Sequence, residues 1–250
     1  MSQTKNTEST NSIRSKKGTL LLIPSGINEN PDLFLPKETL RQVFHTTIFI
    51  AERARTARRF LKAIGHPDPI SSLTIYEIPK KEPYLDLNKD LQALERGENI
   101  GLLSEAGSPG VADPGAEVVR RAHQMNARVL PLVGPSSILL ALMASGLNGQ
   151  KFSFHGYLSP KRNLIGRELK MLEQTSDRDK GCHLFIETPY RNHQVFEEAL
   201  KHLRPSTLFT IALDLCSQRQ FCKTLSIAQW REFKIPELHK IPCVFILQSV

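Results

Sequence analysis

The chain has 250 residues, 40% of them hydrophobic, with 33 Lys and Arg against 25 Asp and Glu, a formal charge of +8 and a pI near 9.4. That length holds one large domain or two modest ones, and no apolar run approaches the ~18 residues of a membrane span. The stretch 1–17 is polar, lacks the apolar centre of a secretory signal and reads as a disordered tail, so membrane and secreted classes are set aside.

In chain order, short β-rich runs alternate with helical patterns, which predicts an α/β protein. Residues 19–23 read as a strand ending in the turn Pro24-Ser25-Gly26, and a helix is expected near Pro36. A strand over 46–50 leads into a helix with Ala54, Ala57, Leu61 and Ile64 on one stripe, stopped by Gly65 and Pro67. Its other surface carries Arg55, Arg58, Arg59 and Lys62, either a solvated basic face or a phosphate-contacting one. Residues 73–78 read as a strand and 86–96 as one helix.

The segment 100–103 is a short apolar strand, followed by a turn with three glycines and two prolines between Gly107 and Gly115. The next helix is expected to start at Pro114 with Asp113 as its N-cap and to run to about Asn126. After a strand over 128–133, Gly134-Pro135-Ser136-Ser137 opens an apolar helix over 138–145 that closes at Gly146. At the carboxyl ends of strands in an open α/β sheet, two such turns line one cleft. The pattern begins afresh after Gly149, which divides the chain into a tail at 1–17, an N-terminal α/β domain at 18–149 and a C-terminal α/β domain at 150–250. The second domain is expected to hold a mixed sheet from strands near 152–157, 183–186, 207–213, 221–225 and 244–247, with helices over 161–174 and from the turn at 187–192 to about 203. A charged loop is expected at 175–181.

Several chemistries are excluded by pattern. No two glycines are separated by a single residue, so a G-x-G-x-x-G fingerprint is missing. Gly110 and Gly115 have P-loop spacing, but Ala116 and Glu117 stand where Lys and Ser/Thr are required. There is no H-E-x-x-H or G-x-S-x-G motif and no His, Asp and Glu grouping with metal-site spacing, so no metal is expected. Cys182, Cys216, Cys222 and Cys243 form no C-x-x-C pair and read as free thiols of a reducing cytoplasm.

The order S-E-A-G-S-P-G-V-A-D-P-G at 104–115, V-G-P-S-S at 133–137 and S-G-L at 145–147 resembles the tetrapyrrole methylase superfamily of S-adenosylmethionine-dependent methyltransferases. A-E-R-A-R-T-A-R-R-F-L at 51–61, F-x-x-H-G-Y-L-S-P-K at 152–161 and I-E-T-P-Y-R at 186–191 are similar to segments of one branch, the ribosomal small-subunit RNA (cytidine-2′-O-)-methyltransferases. The chain departs from that branch at Pro24-Ser25-Gly26-Ile27-Asn28-Glu29-Asn30, at Glu105 and at Leu213-Asp214-Leu215-Cys216-Ser217.

The resemblance implies two α/β domains with S-adenosylmethionine in the cleft between them, a homodimer, and ribosomal RNA or the small ribosomal subunit as partner. It implies cofactor contacts from Pro24, Ser104, Gly107, Ser108, Val111, Ala112 and Asp113, and from Gly134, Ser136 and Ser137, the two serines serving equally well as helix caps. A ribose hydroxyl needs a base or an oxyanion-stabilising cation. Glu52, Arg53, Glu105 and Arg191 are the candidates, although Glu52 and Arg53 also suit a helix start, and Arg191 suits a pair with Glu187. Arg55, Arg58, Arg59, Lys161 and Arg162 are the RNA-contact candidates. Two alternatives stay open: methylation of a tetrapyrrole or another small acceptor, and a non-catalytic cofactor-binding module.

Overall fold

The computed structural model describes residues 17–27, 34–78 and 86–250. The expected tail up to residue 16, and Asn28, Glu29 and Asn30 of the first turn, lie outside the described residues.

The first half is a five-stranded parallel sheet of β1 (Thr19–Ile23), β2 (Ile48–Ala51), β3 (Thr74–Glu77), β4 (Ile100–Leu103) and β5 (Arg128–Pro131), in the order β3-β2-β4-β1-β5. All four residues of β4 are buried, as a strand covered on both faces requires. At Gly101 a Cβ would lie 2.5 Å from Ile23 Cδ1, so this close-packed centre admits only glycine. From β1 the chain crosses over β4 to reach β2, and from β4 it crosses over β1 to reach β5. The carboxyl ends of β1 and β4 therefore form the switch-point crevice where open α/β sheets hold ligands.

Helices α1 (Lys37–Phe44) and α2 (Ala54–Ala63) cover one face, and the apolar stripe Ala54, Ala57, Leu61 and Ile64 is buried as its spacing requires. The helix expected at 86–96 is two short ones, α3 (Asp86–Asp90) and α4 (Gln92–Glu95), broken at Leu91. Helix α5 (Gly115–Gln124) has Pro114 as its N-cap residue. Asp113 lies one position earlier and accepts from the backbone of Gly110 and Gly115. The expected start is thus displaced by one residue, because Asp113 closes the preceding turn.

The second sheet contains β6 (Phe152–Tyr157), β7 (Cys182–Ile186), β8 (Leu208–Leu213), β9 (Phe221–Ser226) and β10 (Cys243–Gln248), ordered β6-β7-β10-β8-β9. It is mixed, with β6 parallel to β7 and the remaining pairs antiparallel. One face carries α7 (Arg162–Asp179), α8 (Asn192–His202) and α9 (Ile227–Glu232) over Phe185, Phe209 and Phe245, and the indole N–H of Trp230 in α9 donates to Phe209 O at 2.7 Å. The loop expected at 175–181 is a correction: α7 continues to Asp179 and ends at Lys180, whose φ is 56°. Polar residues there satisfy themselves within the helix end, as when Ser176 donates to Gly181 O at 2.6 Å.

The opposite face is covered by α6 (Ser137–Ser145), where Ala141 and Leu142 pack on Leu184, Ala212, Val244 and Ile246. The division expected at 149–150 falls after α6, whereas packing puts α6 with the second sheet. A helix apolar on every side carries no stripe to say which sheet it covers.

Between β6 and β7, near the end of α7, His155 Nε2 and His183 Nδ1 lie 2.8 Å apart, with His183 Nε2 3.8 Å from Asp179 Oδ1. Burial lowers the pKa of both rings; His183 lowers that of His155 further, while Asp179 partly offsets the shift at His183. The unfolded chain therefore binds more protons just below the ordinary histidine value of 6.5. Stability is expected to be full above that pH and to fall as pH drops through it. Thermal unfolding at pH 7.5 and 5.5 measures this, and an equal fall in His155→Asn would remove the pair as its cause.

Candidate active site

The strand-to-helix turns at the ends of β1, β4 and β5 are locked to one another. Ser25 N donates to Gly107 O at 2.9 Å and Gly107 N to Ser25 O at 3.3 Å, joining the first two turns as a small bridge. Ser104 Oγ donates to Gly107 O at 2.8 Å and lies 3.2 Å from Ser25 Oγ. Gly107 and Gly110 have φ of 72° and 81°, and Ala112 holds the left-handed region at 58°. Asp113 Oδ1, accepting from Gly110 N at 2.7 Å and Gly115 N at 2.8 Å, holds this path shut. The third turn lies beside the second: Ser108 Oγ is 3.5 Å from Pro135 O.

These turns and the edge of the second sheet enclose a cavity of about 450 Å³. Ser104, Gly107, Ser108, Val111, Ala112 and Asp113 line it from the second turn, and Ser136 and Ser137 from the third. Ser136 is the N-cap of α6 but its side chain makes no capping bond, so the hydroxyl does not serve the helix. Pro24 and Gly134 do not line the cavity. They pack beneath it, where a Cβ on Gly134 would lie 2.5 Å from Pro24 Cβ.

Of the four catalytic candidates, Glu52 and Glu105 line the cavity; Arg53 and Arg191 do not. Burial raises the Glu52 pKa above the ordinary carboxyl value, and the charges of Glu105 and Asp113 add to the rise, against Arg53. Burial likewise raises Asp113, opposed by its two backbone hydrogen bonds. Thr56 Oγ1 donates weakly to Glu105 Oε2 at 3.4 Å. Arg53 is exposed at the N-cap of α2. Arg191 donates to Ser159 O at 2.7 Å and pairs with Glu187 at 3.2 Å, fastening the β6–α7 connection to the end of β7.

Arg55, Arg58 and Arg59 are exposed, and none has a carboxylate partner among the described residues. Lys161 is also exposed, as the N-cap residue of α7. Arg162 is committed elsewhere, to Glu197 at 3.1 Å and Glu198 at 3.5 Å.

Sequence reasoning missed the second wall: Tyr157, Ile186, Glu187, Ala212, Asp214 and Val244. Most of these sit at strand ends of the second sheet, a signal available only once the register is known. Among the described residues the lining includes Glu52, Glu105, Asp113, Glu187 and Asp214 and no Lys, Arg or His, so the field inside favours a cationic ligand.

No protein-family model matches the chain. The arrangement of two sheets, each covered by helices, is a fold shared with solved methyltransferases. The crystal structure of the methyltransferase CobJ covers 94% of this chain and 95% of its own at a TM-score of 0.60 and 17% identity. That of uroporphyrin-III-C-methyltransferase from Thermus thermophilus covers 93% and 92% at a TM-score of 0.51 and 14% identity.

In sequence the chain is similar to the proteins named ribosomal RNA small subunit methyltransferase I. It is 32% identical to that of Bacillus subtilis over 71% of this chain and 57% of the relative. It is 33% identical to that of Synechocystis over 50% and 43%. The chain thus spans about half the length of the curated relatives it matches.

Proposed function

We propose that the chain is an S-adenosylmethionine-dependent methyltransferase acting on ribosomal RNA, at a ribose 2′-hydroxyl. The observation that carries this reading is the cavity itself: both turns of the family resemblance line it, at a switch-point crevice, and relatives similar to the chain in sequence are named as ribosomal RNA methyltransferases. The cofactor fits what is there. A volume of about 450 Å³ is on the scale of a small-molecule site, its wall is acidic, and the turns offer backbone amides for a carboxylate.

The cofactor supplies a methyl group on a sulfonium. Ser104, Gly107, Ser108, Val111, Ala112 and Asp113 hold and orient its chain, and Ser136 and Ser137 offer hydroxyls, while Pro24 and Gly134 support them from below. Glu52 takes the proton of the acceptor hydroxyl at its carboxylate; a raised pKa makes it a stronger base at neutral pH. Glu105 acts through Glu52 by charge. Arg53, exposed at the start of α2, contributes to acceptor phosphate contact, and Arg191 positions the loop rather than touching the reacting atoms. Alignment of acceptor oxygen, methyl carbon and sulfur supplies much of the remaining rate.

The RNA lies along α2. Neutralising Arg55, Arg58 and Arg59 together is expected to weaken RNA binding at 0.1 M salt by about tenfold or more, to flatten the salt slope by about 2–3, and to spare cofactor affinity. An unchanged slope would remove α2 from the RNA path. Lys161 adds a further contact; Arg162, already paired twice, adds little.

The protein works in the cytoplasm, which suits cysteines that no disulfide joins, and as a homodimer. The exposed Val133, Leu139 and Met143, at 72%, 52% and 78%, support pairing of two copies through α6. A single monomeric species in sedimentation at micromolar concentration would count against the dimer, as would recovery from an oxidising compartment against the localisation.

The deciding test incubates radiolabelled S-adenosylmethionine with the protein and small ribosomal subunits lacking the modification, counting label in RNA and protein separately. Label in RNA is expected; cofactor binding without label in RNA would overturn the acceptor.

A further inference from the structure

Among the described residues the two most exposed aromatic side chains are Tyr190, at 69%, and Tyr157, at 56%. Tyr157 ends β6 and Tyr190 lies in the turn after β7, the two strands being parallel neighbours whose register pairs Tyr157 with Ile186. That register shifts between Phe154 and Tyr157, where Gly156 has φ of 66°, and such a bulge re-aims the last side chain of the strand. Tyr157 lines the cavity. Tyr190 follows Pro189, which lines it too, and so stands on the rim rather than inside.

The turn that carries Tyr190 is fixed in place. Asn192 is fully buried, and its Nδ2 donates to Leu238 O at 3.3 Å and to Ile241 O at 2.6 Å. Lys240 N donates to Pro189 O at 3.0 Å, with Lys240 in the left-handed region at φ 61°. These bonds pin the segment 238–241 against the turn. The His239 ring then meets Tyr190 edge-on, with centroids 5.7 Å apart at 75°, and Lys240 Nζ lies 5.9 Å from the Tyr190 centroid. An exposed aromatic face with a cation beside it suits a stacked nucleobase, and a face held in advance lowers the ordering cost of binding.

Charge separates the rim from the interior. The acidic lining repels phosphate, whereas Lys240 on the rim attracts it. An acceptor ribose that enters the cavity draws its nucleotide out of the strand's own stack, and the adjoining base then needs another face to lie on.

We propose that Tyr190, with Tyr157 at the cavity wall, is a stacking platform for single-stranded RNA, on which a base next to the acceptor nucleotide lies over the Tyr190 ring while its phosphate meets Lys240. The inference rests on the methyltransferase reading with an RNA acceptor.

Tyr190→Ala is expected to raise KM for small ribosomal subunits lacking the modification by about tenfold or more, as loss of one stacked base does. Its unfolding temperature and its affinity for S-adenosylhomocysteine are expected to match the wild type. Tyr190→Phe keeps the ring and is expected to hold KM within about twofold. Lys240→Gln is expected to flatten the salt slope of RNA binding by about one. Tyr190→Trp gives a direct readout, since the only other indole, Trp230, is buried. Its fluorescence is expected to be quenched by a single-stranded oligoribonucleotide of about 12 nucleotides and not by the same sequence in a duplex. An unchanged KM in Tyr190→Ala, an equal loss in Tyr190→Phe, or quenching by both RNA forms alike overturns the platform. A change of oligomeric state in Tyr190→Ala also overturns it, by assigning the ring to a contact between copies. If the wild type labels RNA and Tyr190→Ala keeps its KM, this inference alone fails. A wild type that neither labels nor binds RNA overturns the RNA reading, and this inference with it.

Discussion

Glu52→Gln is expected to lower the rate of methyl transfer to RNA by about 10²–10⁴-fold, the usual contribution of a positioned general base, while cofactor affinity changes little. Gln keeps the shape and removes only the capacity to take a proton. Glu52 is singled out because burial and two nearby carboxylates, Glu105 and Asp113, disfavour its charged form, whereas the opposing influence of Arg53 is smaller. A base acts when deprotonated, so the wild-type rate should rise with pH through the raised Glu52 pKa and then level. In Glu52→Gln that rising limb should vanish. In Glu105→Gln it should move to lower pH, since one cause of the shift has been removed. A pH–rate profile under single-turnover conditions checks all three. A limb that survives in Glu52→Gln would assign the base to another group.

Gly134→Ala is expected to cost about 1–3 kcal/mol of stability, as overpacking of a tight contact does, and to weaken cofactor binding in the refolded protein by about tenfold or more. The added Cβ would sit 2.5 Å from Pro24 Cβ and 2.7 Å from Pro24 Cγ, atoms of a rigid ring at the end of β1. The turn has to move away, and it carries Ser136 and Ser137 at the start of α6. Gly146→Ala is the matched control: its φ is 70° and nothing lies within 4 Å of the added carbon. It should cost about 1–2 kcal/mol from backbone conformation alone, with no loss of affinity. Denaturant unfolding and calorimetry on both proteins separate the effects. Equal affinity losses would mean that the position of the third turn is immaterial to the site.

The two mutations bear on different kinds of knowledge. The importance of Glu52 follows from its place just after a strand, which the residue pattern already marked. The role of Gly134 does not, since the same glycine reads equally well as a cofactor contact. Its true neighbour, Pro24, is distant in sequence and adjacent only because β1 and β5 pair in parallel.

The α/β class, the mixed second sheet and the two Gly/Pro turns were legible because local signals carry them: apolar runs of strand length, the Ala54, Ala57, Leu61 stripe, and turn residues that leave the backbone few paths. Misreadings arose where local chemistry is ambiguous. Residues 175–179 are polar and charged, yet the preceding helix continues through them because its buried face, Leu169, Leu172 and Ser176, keeps its register on the sheet. Helix α6 shows no polar side, so nothing in its residues told which sheet it would cover.

The α/β class, most of the elements and the first wall of the site were readable along the chain, since they depend on periodicity and on residues close together in sequence. The second wall, the separation of Arg53 and Arg191 from the cavity, and the Glu187 oxygen that has an ion pair but no hydrogen bond come from the folded arrangement. Those depend on strand register and on which polar groups meet across the fold, and burial without a hydrogen bond is a property that no single stretch of residues can carry.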